Sequence, residues 1–388
     1  MATLTSTSAE RDTPGRVVRG PLAWTPPERP HKNWWALFGG PLVFVGVLLY
    51  FVSQIHLPYV QIAPGGAEPI NELLRVPETR SHPPKGSFLL TTVSLNIDVR
   101  PFDLVRDFFD PDVVVIARKD VLGDSNEQQY NQAAVQDMDD SKQSAIVVAM
   151  RTLGYPVPEH GAGSLVAAVA DGDVPVKGVL TAGDVITAID GVPTMLSQEA
   201  IAILQKHKPS EPIVVTVTRS DKTSVQRTVQ LGSRGEDGSC SVGVVSGAGA
   251  CMGVILGTKD HKFDFPFEVS IDTKNVGGPS AGLAFALALI DELTPGELTG
   301  GRDVAVTGTI DVDGTVGDVG GVVQKTAAVR HAGARLFLVP PGEFAEARKH
   351  AGKNLKVVQV ATLRDALDAL RANGGAAFAT ANPPVRGT

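Results

Sequence analysis

Aromatic residues make up only 5% of this chain of 388 residues, and cysteine occurs only twice, as Cys240 and Cys251. That pair lacks the spacing of a zinc ribbon or a C-x-x-C redox motif. The eight histidines are scattered and none falls in an H-E-x-x-H pattern, so no metal ligand set is expected. No G-x-x-x-x-G-K-[ST] occurs, which excludes an ATP-hydrolysing module of the P-loop kind within this sequence. Basic charge is not in surplus. A net charge of -7 leaves no electrostatic footprint for nucleic acid. Internal repeats are absent too. What remains is a chain rich in glycine and alanine, with an ordinary apolar share of 43%. Its length suits two or three domains of mixed α/β (α+β) class, with no cofactor called for.

One long run carries no charge at all. Trp34 to Ile55 reads "WWALFGGPLVFVGVLLYFVSQI", and a bilayer-spanning helix needs about 20 mostly apolar residues. Trp34 and Trp35 at one edge, and Tyr50 and Phe51 near the other, sit where interface anchors belong. The alternatives are a cleaved signal peptide or a buried core helix, but "SQIHLPYVQIAP" supplies no small-x-small cleavage site. Arg11, Arg16, Arg19, Arg29 and Lys32 precede the run, and the next basic side chain after it is Arg75. The positive-inside rule then makes residues 1–33 a disordered cytoplasmic tail, 34–55 a transmembrane helix, and everything beyond Ile55 extracytoplasmic. That location permits a Cys240–Cys251 disulfide around "SVGVVSGAGA", read as a hairpin. Two unpaired small apolar residues are the other reading.

Residues 56–150 carry no motif with assignable chemistry and are expected to form a region of their own between the anchor and the next domain. Within it, Gly86–Asp98 alternates like a strand, and Gln128–Leu153 is helical, with Val135, Met138, Ala145, Val148 and Met150 at apolar positions. From about Met150 to Leu231 the pattern changes, and its motifs fall within Leu153 to Arg219. "GSLVAAVA" reads as a strand. "GVLTAGDVITAIDGVPT" reads as a turn, a strand and an Asp190-Gly191 hairpin turn. "SQEAIAILQKH" reads as a helix with Ser197 as N-cap, and "PIVVTVTR" as a further strand. This order resembles a bacterial PDZ domain, best over Gly178–Val192. The resemblance implies a domain over 151–232 that binds a peptide as an added strand and holds its terminal carboxylate in a backbone loop. The matching loop is Leu153-Gly154-Tyr155, although "PVPEHGAG" separates it from the strand it should open. A spacer without a ligand is the alternative.

Gly278-Pro279-Ser280-Ala281-Gly282 fits G-x-S-x-G. Before it, "FPFEVSID" (Phe265–Asp272) reads as a strand. After the turn, "PSAGLAFALALIDEL" is a helix apolar nearly all round, hence buried. Ser280 at its start meets unpaired N–H groups and the positive end of the helix dipole, a place that can hold an oxyanion. The hydroxyl still needs a base. Three readings compete. A phosphate could occupy the helix terminus, but no lysine lies in the turn to pair with it. An α/β-hydrolase elbow would call on His331 or His350 with Asp311 or Asp313, but His331 falls at a helix end, His350 lies among lysines, and too little chain remains after Ser280. The third base is Lys325. It shares a helical face with Val322, Ala328, Val329 and Ala332 on a segment that ends at Gly333. Lysine is rarely buried without cause, and burial disfavours its charged form. A drop of roughly three units from about 10.4 would make it a competent base. Snorkelling of the amine to the surface is the alternative.

"GGPSAGLAFALALIDEL", "RDVAVTGTIDVDGTVGDVGGVVQKTAAVRHAGA" and "LFLVPPGE" together resemble the proteolytic domain of Lon proteases, over about Phe265 to Gly342. The resemblance implies a catalytic domain over 239–372, with a tail over 373–388. It makes Ser280 the nucleophile, Lys325 the base and Thr307 the lysine's hydrogen-bond partner. Backbone N–H groups around Gly278 and Ala281 are the oxyanion candidates. The chain departs from the family at Gly277, where many full-length members carry an acid, and in its missing ATPase module. The whole resembles the membrane-anchored PDZ and Lon-domain proteins of bacteria. The expectation is a single-pass, ATP-independent serine endopeptidase with a Ser280–Lys325 dyad, acting on extracytoplasmic proteins or peptides. A ring-shaped homo-oligomer is implied by the resemblance alone. The rival expectation is an inactive membrane-anchored scaffold or adaptor that binds peptides.

Overall fold

The computed structural model describes residues 40–219, 221–235, 240–241, 249–274 and 276–377. The expected tail 1–33, Trp34 to Gly39 of the apolar run, and residues 378–388 lie outside the described residues. The run enters as helix α1 (Gly40–Ser53), 14 residues with no charged side chain. Among the described residues no helix is long and apolar enough to cross a membrane.

Residues 56–150 do not form a region of their own. Strands β1 (Tyr59–Pro69), β3 (Phe88–Asn96) and β4 (Val114–Ala117) pair antiparallel around β1. The short β2 (Leu74–Arg75) and helices α2 (Pro101–Asp107) and α3 (Arg118–Leu122) belong to the same stretch. Helix α4 (Glu127–Thr152) begins at a reciprocal cap, in which Asn126 Oδ1 accepts from Gln129 N at 2.9 Å and Gln129 Oε1 accepts from Asn126 N at 2.9 Å. The chain then leaves, and returns as β15 (Lys262–Phe263) and β16 (Ser270–Ile271), helix α6 (Gly282–Leu293), β17 (Val304–Val306), β18 (Thr309–Ile310), β19 (Val316–Gly317), α7 (Val322–His331), β20 (Leu336–Val339), α8 (Phe344–His350), β21 (Lys356–Gln359) and α9 (Leu363–Ala372). The two stretches share one six-stranded sheet, ordered β21-β20-β17-β3-β1-β4, with β17 parallel to both β3 and β20.

Strand alternation explains the layers. Phe88 and Leu90 of β3, Val304 and Val306 of β17, and Leu338 of β20 point to one face, where α4 and α6 pack on them. Leu89, Ala305 and Phe337 point to the other, against Val329 of α7 and Ala347 of α8. Helix α6 lies between the sheet and α4 and is buried on all sides, as its apolar sequence requires. Gly282 is needed there. A Cβ at that position would lie 2.8 Å from Ser141 Oγ and 3.0 Å from Ile310 N.

Between α4 and β15 an insertion folds on its own core. It contains β5 (Glu159–His160), β6 (Ser164–Val169), β7 (Val185–Ile189), β8 (Val192–Pro193), α5 (Ser197–Leu204), β9 (Pro212–Thr218), β10 (Ser224–Gln230), β11 (Gly232–Arg234), β12 (Cys240–Ser241), β13 (Ala250–Cys251) and β14 (Val254–Thr258). Its main sheet is ordered β10-β9-β7-β6-β14. The expected start of the catalytic domain at 239 is therefore too early, because β14 pairs antiparallel with β6. At the neck, β5 pairs with β15, Arg151 bonds Glu159, and His261 Nε2 lies 3.1 Å from the same carboxylate.

Other local expectations change. Asp190 and Gly191 form the two-residue hairpin turn, at φ 48° and 77° between Ile189 and Val192. Ser197 is the first residue of α5 and not its cap. Its hydroxyl meets Thr258 Oγ1 at 3.0 Å, and Glu199 accepts from Met195 N and Leu196 N instead. Of "FPFEVSID" only Ser270–Ile271 is strand, because Phe265, Phe267 and Val269 pack as an irregular segment against the catalytic core. Cys240 and Cys251 form a disulfide. The strands they sit on are not a hairpin pair, since β12 and β13 both pair with β11. The expected tail does not begin at 373, because Asn373 caps α9 and Ala376 N donates to Glu297 O at 2.8 Å.

Candidate active site

Ser280 sits just before α6 and not within it, because Ala281 is the cap residue. Its backbone is held from several sides. Gly308 N donates to Ser280 O at 3.0 Å, and Thr307 Oγ1 donates to the same oxygen at 3.3 Å. Ser141 Oγ of α4 donates to Pro279 O at 2.9 Å. Gly278 takes φ 89°, the left-handed conformation that glycine adopts without strain. At Gly277 a Cβ would lie 3.0 Å from Ala134 Cβ, so an acidic side chain there would need α4 to shift.

Lys325 lies one turn into α7, which starts after Gly321 in left-handed conformation at φ 69°. A Cβ on Gly321 would lie 2.7 Å from Val93 Cγ1, so glycine lets the helix begin against β3. Lys325 is 2% exposed, so its amine does not snorkel. Its Nζ donates to Thr307 Oγ1 at 3.1 Å. Burial pulls the lysine down to about 8, while the carboxylate of Glu343 acts in the opposite sense. At pH 7 a group with that value is neutral in about one molecule in ten.

The structure thus brings Ser280, Thr307 and Lys325 together. Ser280 and Lys325 line one cavity of about 650 Å³, with Thr91, Thr92 and Val93 of β3 and Met138 of α4 among its walls. Among the described residues no hydrogen bond links Ser280 Oγ directly to Lys325 Nζ; Thr307 touches both residues. Such contacts commonly tighten only when substrate binds. A larger cavity of about 890 Å³ lies between α4 and α9, lined by Arg151, Arg364 and Arg371, but it contains neither Ser280 nor Lys325. The smaller cavity brings a serine and a buried lysine to one wall, and the larger one does not. His331 and His350 are absent from the lining of the Ser280 cavity, and His350 Nδ1 lies 3.0 Å from Glu346 O. Of the oxyanion candidates, Gly278 is occupied, because its N–H donates to Ala134 O at 2.7 Å. Ala281 N–H has no protein acceptor among the described residues.

One buried acid near Lys325 escaped the sequence reading. Glu343 Oε1 accepts from Val319 N at 2.7 Å, which ties the loop before α7 to the start of α8. Burial holds its carboxyl above the ordinary range, and Asp318 adds to the effect. Nothing in the local sequence "PPGEF" distinguishes it from a surface acid.

The loop expected to receive a carboxylate does not face the PDZ sheet. Leu153 and Tyr155 are buried in the catalytic core, where Tyr155 packs edge-on against Phe267 at 5.4 Å. Leu153, Gly154 and Tyr155 donate their N–H groups to Ala149, Arg151 and Met150 carbonyls, closing the end of α4, so none is left for a ligand. The groove lies elsewhere. A cavity of about 530 Å³ runs between β14 and α5, with Ile201, Leu204 and Gln205 on one wall and Val254 to Leu256 on the other. β14 stands at the end of the sheet order. Arg234 and the segment Cys251-Met252-Gly253 also line it, with Gly253 at φ 79°. The signal in the sequence was the apolar run "GVILGT", but its pairing with β6, far back in the chain, is not visible there.

Residues 269–372 match the Lon protease (S16) C-terminal proteolytic domain, and residues 144–231 match the PDZ domain. The Lon protease of Phenylobacterium zucineum is 37% identical over 95 residues, 24% of this chain and 12% of that protein. Lon protease 2 of Bacillus subtilis is 30% identical over 122 residues, 31% of this chain and 21% of that protein. The Archaeal Lon protease of Methanothermobacter thermautotrophicus is 29% identical over 159 residues, 40% of this chain and 24% of that protein. The chain spans a quarter or less of the length of these relatives. Among solved structures, the PDZ domain of the SdrC-like protein of Listeria monocytogenes is 26% identical, covers 24% of this chain and 87% of its own, and superposes with a TM-score of 0.20. Residues 269–372 are therefore in a Lon-type proteolytic domain, that of a serine-type peptidase, and the inserted unit is a PDZ domain, the α4 residues at the start of the matched span belonging to the catalytic core.

Proposed function

We propose that this chain is a single-pass, membrane-anchored serine endopeptidase that works without ATP on extracytoplasmic proteins or peptides. The observation that carries the chemistry is a nearly fully buried lysine, bonded to Thr307 at 3.1 Å, in the same cavity as Ser280. Ser280 Oγ attacks the scissile carbonyl carbon and passes its proton to neutral Lys325 Nζ. The oxyanion is met by Ala281 N–H and the positive end of α6. On collapse the C–N bond breaks and Lys325 returns the proton to the leaving amine. Water then attacks the acyl ester with Lys325 again as base, the C–Oγ bond breaks, and Lys325 returns the proton to Ser280 Oγ. Thr307 Oγ1 accepts from Nζ while its own hydrogen is directed to Ser280 O, so the amine stays oriented through both transfers.

The anchor reading rests on the uncharged run Trp34–Ile55, of which α1 is the described part, and the cytoplasmic N-terminus on the basic residues before it. In the PDZ unit, a peptide laid antiparallel along β14 would bring its C-terminus to Met252-Gly253 and Arg234, and its side chains to Ile201 and Leu204. A ring-shaped homo-oligomer is proposed on family resemblance.

The deciding test is hydrolysis of a short unstructured fluorogenic peptide. Lys325→Arg keeps the positive charge but stays protonated, so a folded Lys325→Arg protein, like Ser280→Ala, is expected to be inactive. Substantial turnover by Lys325→Arg ends the dyad. Topology is tested by protease added to spheroplasts, which should cut beyond Ile55. Protection until lysis rejects the orientation.

A further inference from the structure

Helix α2 is built inside out. Of its two acids, Asp103 is half-buried and Asp107 is buried, accepting from Gln61 Nε2 of β1 at 2.9 Å and from Arg106 Nη2 at 3.1 Å. Leu104 is half-buried, but Phe102 and Val105 face outward. Phe102 is 46% exposed and Val105 62%, and in the turn after the helix Phe108 is 84% and Phe109 79% exposed. Phe102, Val105 and Phe109 recur at three- and four-residue spacing and so form one stripe, with Phe108 beside it. The two phenyl rings meet edge to face with centroids 5.3 Å apart. A surface helix ordinarily turns its apolar stripe to the core. A contiguous apolar patch left outside marks a contact with something other than water.

The position of the patch names the partner. Helices α1 and α2 are in contact. The segment after α1 is fastened to the segment before α2, with Leu57 N donating to Val99 O at 2.9 Å and His56 Nε2 lying 3.1 Å from Asp98 Oδ1. The patch therefore continues the apolar surface of α1, where Leu48, Leu49, Tyr50 and Phe51 are also exposed. The charges around it are Asp98, Asp103, Asp110 and Asp112 against Arg100 and Arg106, with no basic surplus to seek anionic headgroups. Attraction to a surface here is apolar. We propose that α2 and Phe108–Phe109 form a lipid-inserted foot, seated in the headgroup and acyl boundary of the leaflet from which α1 emerges. The foot is fastened to β1, and β1 supplies Ile62 to the wall of the Ser280 cavity. It thereby orients the catalytic opening relative to the bilayer. The inference rests on the anchor reading of α1.

The test uses the full chain in phosphatidylcholine vesicles, with the three native tryptophans, Trp24, Trp34 and Trp35, changed to phenylalanine. Phe108→Trp is made in that background, with Gln226→Trp on exposed β10 as the control. Each variant is checked for flotation with the vesicles and for the thermal transition of its parent. Lipids brominated near the glycerol end of the acyl chain should quench most of the emission of Phe108→Trp and leave Gln226→Trp unchanged. A protein that floats but shows no quenching at Phe108→Trp, or equal quenching in both variants, overturns the foot and leaves the anchor standing. A second copy of the chain covering the patch would give the unquenched result. If the chain does not float, the anchor reading fails, and the foot fails with it.

Discussion

In the PDZ unit every strand of the main sheet comes from residues 164–258, whereas the catalytic sheet joins strands from 59–117 to strands from 304–359. The first unit is nearly local and the second is closed across the first. The PDZ unit is attached through the paired strands β5 and β15 and the Arg151–Glu159–His261 cluster. Its core contains no residue that lines the Ser280 cavity. A unit inserted in this way can choose substrates without setting the geometry of the chemistry. Changes in one unit should therefore be felt separately from changes in the other.

The largest separation is expected from Lys325→Arg and Ser280→Ala. Each should lower kcat/KM for a short peptide by about 10³-fold or more. Binding of a peptide C-terminus to the PDZ unit, read by fluorescence anisotropy, should stay at the wild-type level. Joint loss of binding would break the comparison. Next in size is Ile201→Asp in the groove wall, which should weaken that peptide by about 10- to 100-fold, as a charge placed in an apolar contact does. Cleavage of a short unstructured peptide should be spared, and equal loss of both would assign the groove to the catalytic unit. Replacing both cysteines, Cys240→Ser with Cys251→Ser, reopens an 11-residue separation beside the groove. The cost should be about 2–3 kcal/mol, confined to the PDZ unit. Calorimetry should show one transition falling while activity on the short peptide holds.

The smallest effect concerns protons. In the proposed dyad Lys325 takes a proton only when neutral, and burial lowers it to about 8. Activity should therefore be lost as pH falls through that value and should level off above it. The Glu343 carboxylate favours the charged amine, so Glu343→Gln should move the acid limb of kcat/KM to lower pH. A limb that moves to higher pH, or stays fixed in a folded variant, would remove Glu343 from the electrostatics of the base.

Legibility followed the same division. Ser280 stood out in a local motif, whereas helical spacing left Lys325 open between a buried and a snorkelling amine, and only the resemblance to Lon proteases chose burial, which the structure shows. The hairpin at Asp190-Gly191 was readable because its signal lies within a few residues. The misplaced PDZ loop has the opposite cause. Leu153-Gly154-Tyr155 looked like the opening of a strand, but its amides close α4, while the edge strand of the groove comes from beyond residue 250. Residues 56–150 looked like a separate region because their alternation shows a strand without naming its neighbour. β3 lies between β1, which is close in sequence, and β17, more than 200 residues away.

By itself the sequence determined what is set by short-range stereochemistry. That includes the left-handed glycines at Gly278 and Gly321, the helical face that carries Lys325, and the uncharged run that ends in α1. Tertiary structure supplied the contact of Thr307, after β17, with the lysine of α7, which the resemblance had implied; it alone decided that Glu343 lies close enough to hold part of the lysine's charge and that α2 turns Phe102 outward. The two contacts of Lys325 join residues on different elements, 18 positions apart in the chain. Their formation depends on sheet order, which the pattern along a single strand does not encode.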